Sequence, residues 1–290
     1  MCTVMASSGL VGRTMDFPPR TPWHLTYLPA GYQWQPATGD RVVINHHRIL
    51  GGMRHFGGHY LAGDGVNDAG LFCAELFFPV AATYEAAVRP GTRGLTPQDV
   101  ILWVLGKHAT VAELAADLAN VTVVGANWFD GNYYPFHWLL MDASGTYVVE
   151  PTGGRLRISR NPAEVLINTP ALPDQIRRLN GRLGLAGTGF NAQAVTNYRG
   201  TWPAGGNSAA RFQQAALWRR QAGPGTVVEM QDFLKSVTVP HNQDHENNYT
   251  HYWAVVDRDQ TEYRFTSCRG GKTIKRNLQS LLGPRAITFE

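Results

Sequence analysis

Over the first third of the chain, apolar positions come in short runs separated by glycine-containing turns, which is strand spacing rather than helix spacing. Residues 2–7 and 12–17 flank Gly9 and predict a hairpin, and residues 24–28 and 41–47 predict further strands. Another pair turns around residues 66–70. Its returning arm, Leu71-Phe72-Cys73-Ala74, is apolar at every position, as a strand covered on both faces should be. The period changes after residue 95. Thr96-Pro97-Gln98-Asp99 offers an N-cap, a proline at the first helical position and an acid in the first turn, ahead of the apolar residues 100–105. Thr110-Val111-Ala112-Glu113 is a capping box for a second helix ending near Ala119.

The second half repeats the mixture. Residues 121–126 predict a strand, and 136–141 with 146–150 predict a hairpin around Asp142-Ala143-Ser144-Gly145. Residues 172–179, 208–221 and 230–237 predict helices, the middle one with Phe212, Ala215 and Ala216 on one face. Residues 252–256 and 262–266 form a last hairpin, and 286–289 an edge strand. Two hairpin-rich regions, each followed by helices, predict an α+β fold with two antiparallel sheets face to face and helices outside. No repeat, low-complexity tract or linker divides the chain, so residues 2–290 read as a single domain.

Composition narrows the function. Of 290 residues, 43% are hydrophobic and only 17% charged, with 31 Gly and 17 Pro, which excludes a charged coiled coil or a disordered chain. The net charge is +4, and no Lys/Arg cluster is denser than residues 155–160 and 272–276, so no nucleic-acid partner is expected. The start of the chain lacks the basic segment and long apolar run of a secretory signal. No apolar run approaches the roughly 18 to 20 residues of a membrane span. A cytoplasmic protein without a membrane partner is therefore expected. Cys2, Cys73 and Cys268 show no CxxC and no Cys/His ligand spacing, so neither a disulfide scaffold nor a zinc site is indicated. Walker, H-E-x-x-H and G-x-S-x-G motifs are missing, and the glycine-rich residues 184–189 read as a loop.

Cys2 is the residue that changes this picture. Excision of Met1 would leave one residue carrying both a thiol and an α-amine, with reference pKa values near 8.5 and about 7.7 to 8.0, so that the amine can take the thiol proton and return it to a leaving group. Small residues also follow an initiator methionine for no catalytic reason. Arg13 and Asp16 lie in the returning arm of the first hairpin; centred near Gly9, it sets residue 2 opposite residue 16. A carboxylate there holds an amine and a guanidinium favours a thiolate, whereas the plainer reading is an ion pair at an edge strand. Positions 13 and 16 fall on opposite faces of a regular strand, so both reach Cys2 only if the chain bends. Cys73, in an apolar strand, reads as a packed thiol. Cys268, before Arg269, reads as accessible and reactive without a catalytic role.

Further along, Phe136-His137-Trp138-Leu139 through Val148-Val149-Glu150, then Asn168-Thr169-Pro170, Gly206-Asn207-Ser208-Ala209-Ala210-Arg211-Phe212 and the hairpin at 252–266 follow in order. With Met1-Cys2-Thr3 and Arg13-Thr14-Met15-Asp16-Phe17, this set resembles the choloylglycine hydrolase family of N-terminal-nucleophile hydrolases, which includes penicillin V acylases and conjugated bile salt hydrolases. The resemblance implies a four-layer αββα fold and a cysteine amidohydrolase working through a thioester, without metal or organic cofactor. It implies Cys2 as nucleophile with its α-amine as base, Asp16 orienting that amine and Arg13 beside the thiolate. Asn168 would donate its side-chain amide to the oxyanion together with a backbone N–H near Phe77, and Arg211 would stabilise the assembled charges. A homotetramer acting on a small-molecule amide with an apolar acyl group is expected. Phe56, Tyr60, Phe77, Phe78 and Trp128 are candidate pocket liners, with core packing as the other reading. The loop between Cys2 and Arg13 is shorter than is usual in the family, and the segment after Pro170 lacks the family's aromatic pattern. At the position of Phe77, bile salt hydrolases typically carry Asn and penicillin V acylases Tyr. A penicillin V acylase-like activity is therefore expected, with conjugated bile salts or N-acyl homoserine lactones as alternative substrates. A non-catalytic small-molecule binding protein is the reading of a different class, and the intact set of polar residues argues against it.

Overall fold

A computed structural model describes residues 2–18, 22–222 and 225–290; Met1, expected to be excised, lies outside the described residues. In chain order the strands of its two large sheets are β1 (Thr3–Ser7), β2 (Leu10–Phe17), β3 (Trp23–Leu28), β4 (Ile49–Phe56), β5 (His59–Ala62), β6 (Asp64–Asn67), β7 (Phe72–Phe77), β8 (Phe136–Asp142), β9 (Gly145–Thr152), β10 (Arg155–Arg160), β11 (Val165–Ile167), β12 (Tyr249–Asp257), β13 (Glu262–Ser267), β14 (Thr273–Asn277) and β15 (Ile287–Phe289). The first sheet runs β11-β1-β2-β12-β13-β14. The second runs β10-β9-β8-β7-β6-β4-β3-β15, with β5 also on β4. Every pairing in both sheets is antiparallel.

Helices cover the outer faces. On the second sheet lie α1 (Val100–Lys107) and α2 (Val111–Asp117). On the first lie α5 (Ser208–Gln221) and α6 (Val227–Ser236), with α3 (Leu172–Arg182) and α4 (Ala192–Asn197) packed on α5. This is the expected four-layer αββα arrangement of an N-terminal-nucleophile hydrolase. Among the described residues, no helix is long and apolar enough to cross a membrane.

The two sheets approach closely because glycines permit it. A Cβ on Gly51 would stand 2.1 Å from the Asp64 carbonyl oxygen, and one on Gly52 2.2 Å from the Tyr252 hydroxyl. That pair sits in the middle of β4, a strand the apolar pattern does not announce. The pair lets β4 lie against β6 and beneath the facing sheet. The strand expected at 41–47 shrinks to Val43–Ile44, paired with Gln33–Trp34, and the one at 121–126 ends at Val123. The basic segment at 155–160 is strand β10, at a sheet edge where charge blocks further pairing.

The first hairpin corrects the expected register. Thr3 faces Thr14 and Ser7 faces Leu10, leaving a two-residue turn of Ser8 (φ 46°) and Gly9 (φ 82°), both left-handed. Residue 2 is thereby carried opposite residue 15, not 16.

Candidate active site

Strand β2 presents two chemical faces. Position 12 faces α6, since a Cβ there would meet Met230 and Leu234; positions 14 and 16 share that outer face by alternation. Arg13, Met15 and Phe17 face the opposite sheet: Arg13 Nη1 bonds the Gly63 carbonyl and, at 3.0 Å, Asp64 Oδ2. The thiol of Cys2 lies on this inner face, with Sγ 3.5 Å from Arg13 Nη2. Asp16 reaches the thiol through its main chain alone, Sγ donating to the Asp16 carbonyl at 3.4 Å. Its carboxylate is on the outer face, where Arg211 of α5 pairs with Oδ2 at 3.1 Å and Thr250 Oγ1 donates to Oδ1 at 2.6 Å. Arg211 Nη1 also lies 3.5 Å from Thr3 Oγ1. No bend of β2 is needed: Arg13 and Asp16 flank the start of β1 from opposite sides.

The pairing of β1 with β11 carries Asn168, just past the end of β11, across from Cys2. Asn168 Oδ1 accepts the Phe77 N–H at 3.2 Å, and the Thr169 N–H donates back to the Phe77 carbonyl at 3.1 Å. An N–H can only face the oxygen of an amide, so this contact fixes which way Asn168 points and turns Nδ2 away from β7. The Phe77 N–H, expected to share the oxyanion with Asn168, is here engaged in holding Asn168. Gln175, which the sequence pattern does not single out, grips this segment from α3. Its Nε2 donates to the carbonyls of Ile167 (3.2 Å), Asn168 (3.1 Å) and Pro170 (2.6 Å), while its Oε1 accepts the Ile167 N–H at 3.3 Å. His137 Nε2 adds a bond to the Ile167 carbonyl at 2.9 Å.

The aromatic candidates separate. Phe77 (40% exposed) and Phe56 (39%) have open faces. Tyr60 is half-buried between Tyr32 and His55. Phe78 is buried and stacks on His137 with ring centroids 4.2 Å apart, so it supports the Asn168 segment from behind. Trp128 is buried against Arg54, whose guanidinium also lies over Phe17 and Tyr134 and pairs with Asp130. Two cavities lie off the thiol. One of about 510 Å³ is lined by Trp23, Tyr249, His251, Phe265 and Arg269, and one of about 660 Å³ touches this constellation only through Arg211.

Electrostatics beneath the thiol centre on Asp64. It is fully buried and accepts from Tyr252 OH at 2.6 Å and from Tyr263 OH while pairing with Arg13. Burial, and then Asp64 itself, push both tyrosine hydroxyls well above their ordinary range, so they stay donors. Burial opposes the Arg13 charge, but the Asp64 carboxylate paired with it restores it. The Cys2 thiol, 4% exposed, is raised by burial, which outweighs the lowering pull of Arg13. Arg13 alone therefore does not make a resting thiolate; a base must take the proton. Cys73 is buried and raised well above the usual thiol value, as a packed thiol should be. Cys268, expected to be accessible and reactive, is exposed, and partial desolvation, then Asp16, push its thiol up to about 12.

The family model of linear amide C–N hydrolases, choloylglycine hydrolase family, matches residues 2–281. A bile salt hydrolase/transferase of Lactiplantibacillus plantarum is 27% identical over 295 residues, covering 91% of this chain and 88% of that protein. One from Clostridium perfringens is 28% identical over 192 residues, a match spanning 64% of this chain and 58% of the relative's length. The conjugated bile acid hydrolase structure from Clostridium perfringens superposes with TM-score 0.84 at 21% identity, covering 100% of this chain and 97% of that one. A penicillin V acylase from Agrobacterium tumefaciens gives 0.73 at 20%, covering 97% and 87%.

Proposed function

Because the chain belongs to the choloylglycine hydrolase family of linear amide C–N hydrolases, we propose that it is an amidohydrolase in which Cys2, freed at its amine by excision of Met1, is the nucleophile. The observation that carries this is the Arg13 guanidinium 3.5 Å from the Cys2 thiol between the sheets, with the Asp16–Arg211 pair on the other face of β2 and Asn168 oriented by the Phe77 N–H. The α-amine takes the Cys2 proton, and sulfur attacks the amide carbonyl. The developing oxyanion is met by Asn168 Nδ2, which the Phe77 N–H keeps aimed by holding Oδ1. The C–N bond breaks as the α-ammonium returns its proton to the leaving amine, which leaves a thioester on Cys2. Water then attacks the thioester, giving its proton to the amine, and the acid departs with the thiol restored. Asp16, held by Arg211 and Thr250, keeps the amine oriented.

For the substrate, the half-open ring of Phe77 favours an aryl acyl group of the penicillin V kind, since an aromatic pair adds roughly 0.5 to 1.5 kcal/mol beyond area burial. A conjugated bile salt is the second reading, favoured by the names of the curated relatives and by the superposition on the bile acid hydrolase. The deciding experiment measures kcat/KM on penicillin V, glycocholate, taurocholate and an N-acyl homoserine lactone side by side. Penicillin V is expected to lead. A conjugated bile salt processed about tenfold better, worth about 1.4 kcal/mol, replaces the first reading with the second, and turnover of none of the four refutes both.

A further inference from the structure

The cavity of about 510 Å³ at the open side of the sandwich has no part in the proposed reaction. Both sheets end there, the first at β14 and the second at β15, and among the described residues no further strand closes the gap. Trp23 and Phe289 line it from the second sheet, Phe265 and Ile274 from the first. Trp23 borders both this cavity and the core beside the thiol: its ring meets Phe17 edge-on with centroids 5.6 Å apart and lies 5.9 Å from Tyr252. Cys2, Arg13, Asn168 and Phe77 do not line the cavity, so it is a compartment apart from the thiol.

The turn from β13 to β14, Arg269-Gly270-Gly271-Lys272, supplies charge, and both of its cations line the cavity. The rest of this basic stretch is already used: Lys275 pairs with Glu262 at 2.7 Å, and Arg276 lies over the Phe289 ring. Lys272 Nζ donates to the main-chain oxygen of Glu290 at 2.9 Å, and Glu290 is the one acidic residue among the described residues of the lining. His251 is engaged through Nε2 with the Phe17 carbonyl at 2.9 Å. Arg269 gives Nη2 to the Tyr249 hydroxyl at 3.2 Å and has no carboxylate partner among the described residues. An apolar chamber with an unmatched guanidinium at its rim suits one class of ligand. A neutral apolar molecule would leave Arg269 unmatched, and an inorganic anion would leave the walls wet. A hydrophobic carboxylate answers both, its body leaving water for the chamber and its two oxygens meeting the guanidinium fork.

We infer that this cavity is a second binding site, for a carboxylic acid with an aryl or alkyl body, which lies between Trp23 and Phe265 with its carboxylate on Arg269. The inference does not depend on Cys2 as the nucleophile.

The test is photolabelling of the wild-type protein with 4-benzoylbenzoate, an aryl carboxylate that inserts into neighbouring C–H bonds under near-ultraviolet light, followed by peptide mapping. Saturable adducts are expected on Trp23 or within residues 265–274. The uncharged 4-benzoylbenzamide, of the same shape, is expected to label that site at least about tenfold less, and Arg269→Glu to raise the half-saturating concentration of the acid at least about tenfold. Adducts confined to other segments, equal labelling by the amide, or an unchanged half-saturation in Arg269→Glu each overturn the inference. The mapping and the amide comparison are read on the wild type and stand even if the variant does not fold. Labelling needs no turnover. Failure to hydrolyse any amide therefore refutes the proposed function, while absence of adducts around Trp23 and Arg269 refutes the second site.

Discussion

The side-chain amide of Asn168 has one hydrogen bond that decides its use. With Oδ1 committed to the Phe77 N–H, Nδ2 is the end left for a developing negative charge. Asn168→Ala is expected to lower kcat by an amount on the order of 2.7 to 4 kcal/mol with little change in KM, read by steady-state kinetics; a loss confined to KM would contradict the role. Gln175 acts at one remove, fixing the carbonyls on either side of Asn168. Gln175→Ala should cost kcat about tenfold to a hundredfold through misplacement alone, again with KM held. At this scale the residues with unusual chemistry, Cys2, Arg13, Asp16, Asn168 and Arg211, are legible in the sequence because identity and order mark them. Asp64, Tyr252 and Gln175 are not. Each matters through hydrogen bonds to residues 5 to 199 positions away, and nothing local in their segments encodes that pairing.

Among the elements, β4 is a strand that the apolar pattern does not announce. Its Gly51-Gly52 pair serves close approach between strands and sheets. Gly51→Ala should destabilise the fold by about 1 to 3 kcal/mol, because the added methyl meets the Asp64 backbone rather than a movable side chain. Gly181, inside α3 with nothing within 4 Å of where a methyl would sit, should behave oppositely: Gly181→Ala is expected to stabilise by about 0.5 to 1 kcal/mol. Urea unfolding of both variants checks the pair of signs. The capping signals before α1 and α2 are legible in the sequence, since a cap is a local arrangement: Thr110 accepts the Glu113 N–H at 3.1 Å, and Asp99 accepts the Thr96 N–H at 2.8 Å. Asp99 carries a cost as well. Burial raises it to about 6, partly offset by its bonds from Thr96 and Ala37. A folded value above the unfolded one means its contribution is whole below roughly pH 4 and is lost as pH rises through about 6. Asp99→Asn should therefore gain in Tm relative to the wild type between about pH 4 and 7; a constant difference across that window would show that Asp99 does not titrate there.

For the molecule as a whole, the layer order is legible because antiparallel hairpins and amphipathic helices have few ways to cover one another. Which faces of β1 and β2 look inward is not, since a one-residue change in register turns every side chain over. That register sets the site: with Thr3 opposite Thr14, the Cys2 thiol joins Arg13 between the sheets and the Asp16 carboxylate joins Arg211 beneath the helices. The expected homotetramer is checked by light scattering over a range of concentrations, where a monomer throughout would remove it. The claim that an acyl group passes through Cys2 is tested most directly by rapid-quench mass spectrometry of the protein mixed with a turned-over amide, followed by peptide mapping. A transient increment equal to the acyl group is expected, on a peptide that begins at Cys2 and has lost Met1. An increment on Cys268, or steady turnover by a chain that retains Met1, would contradict it.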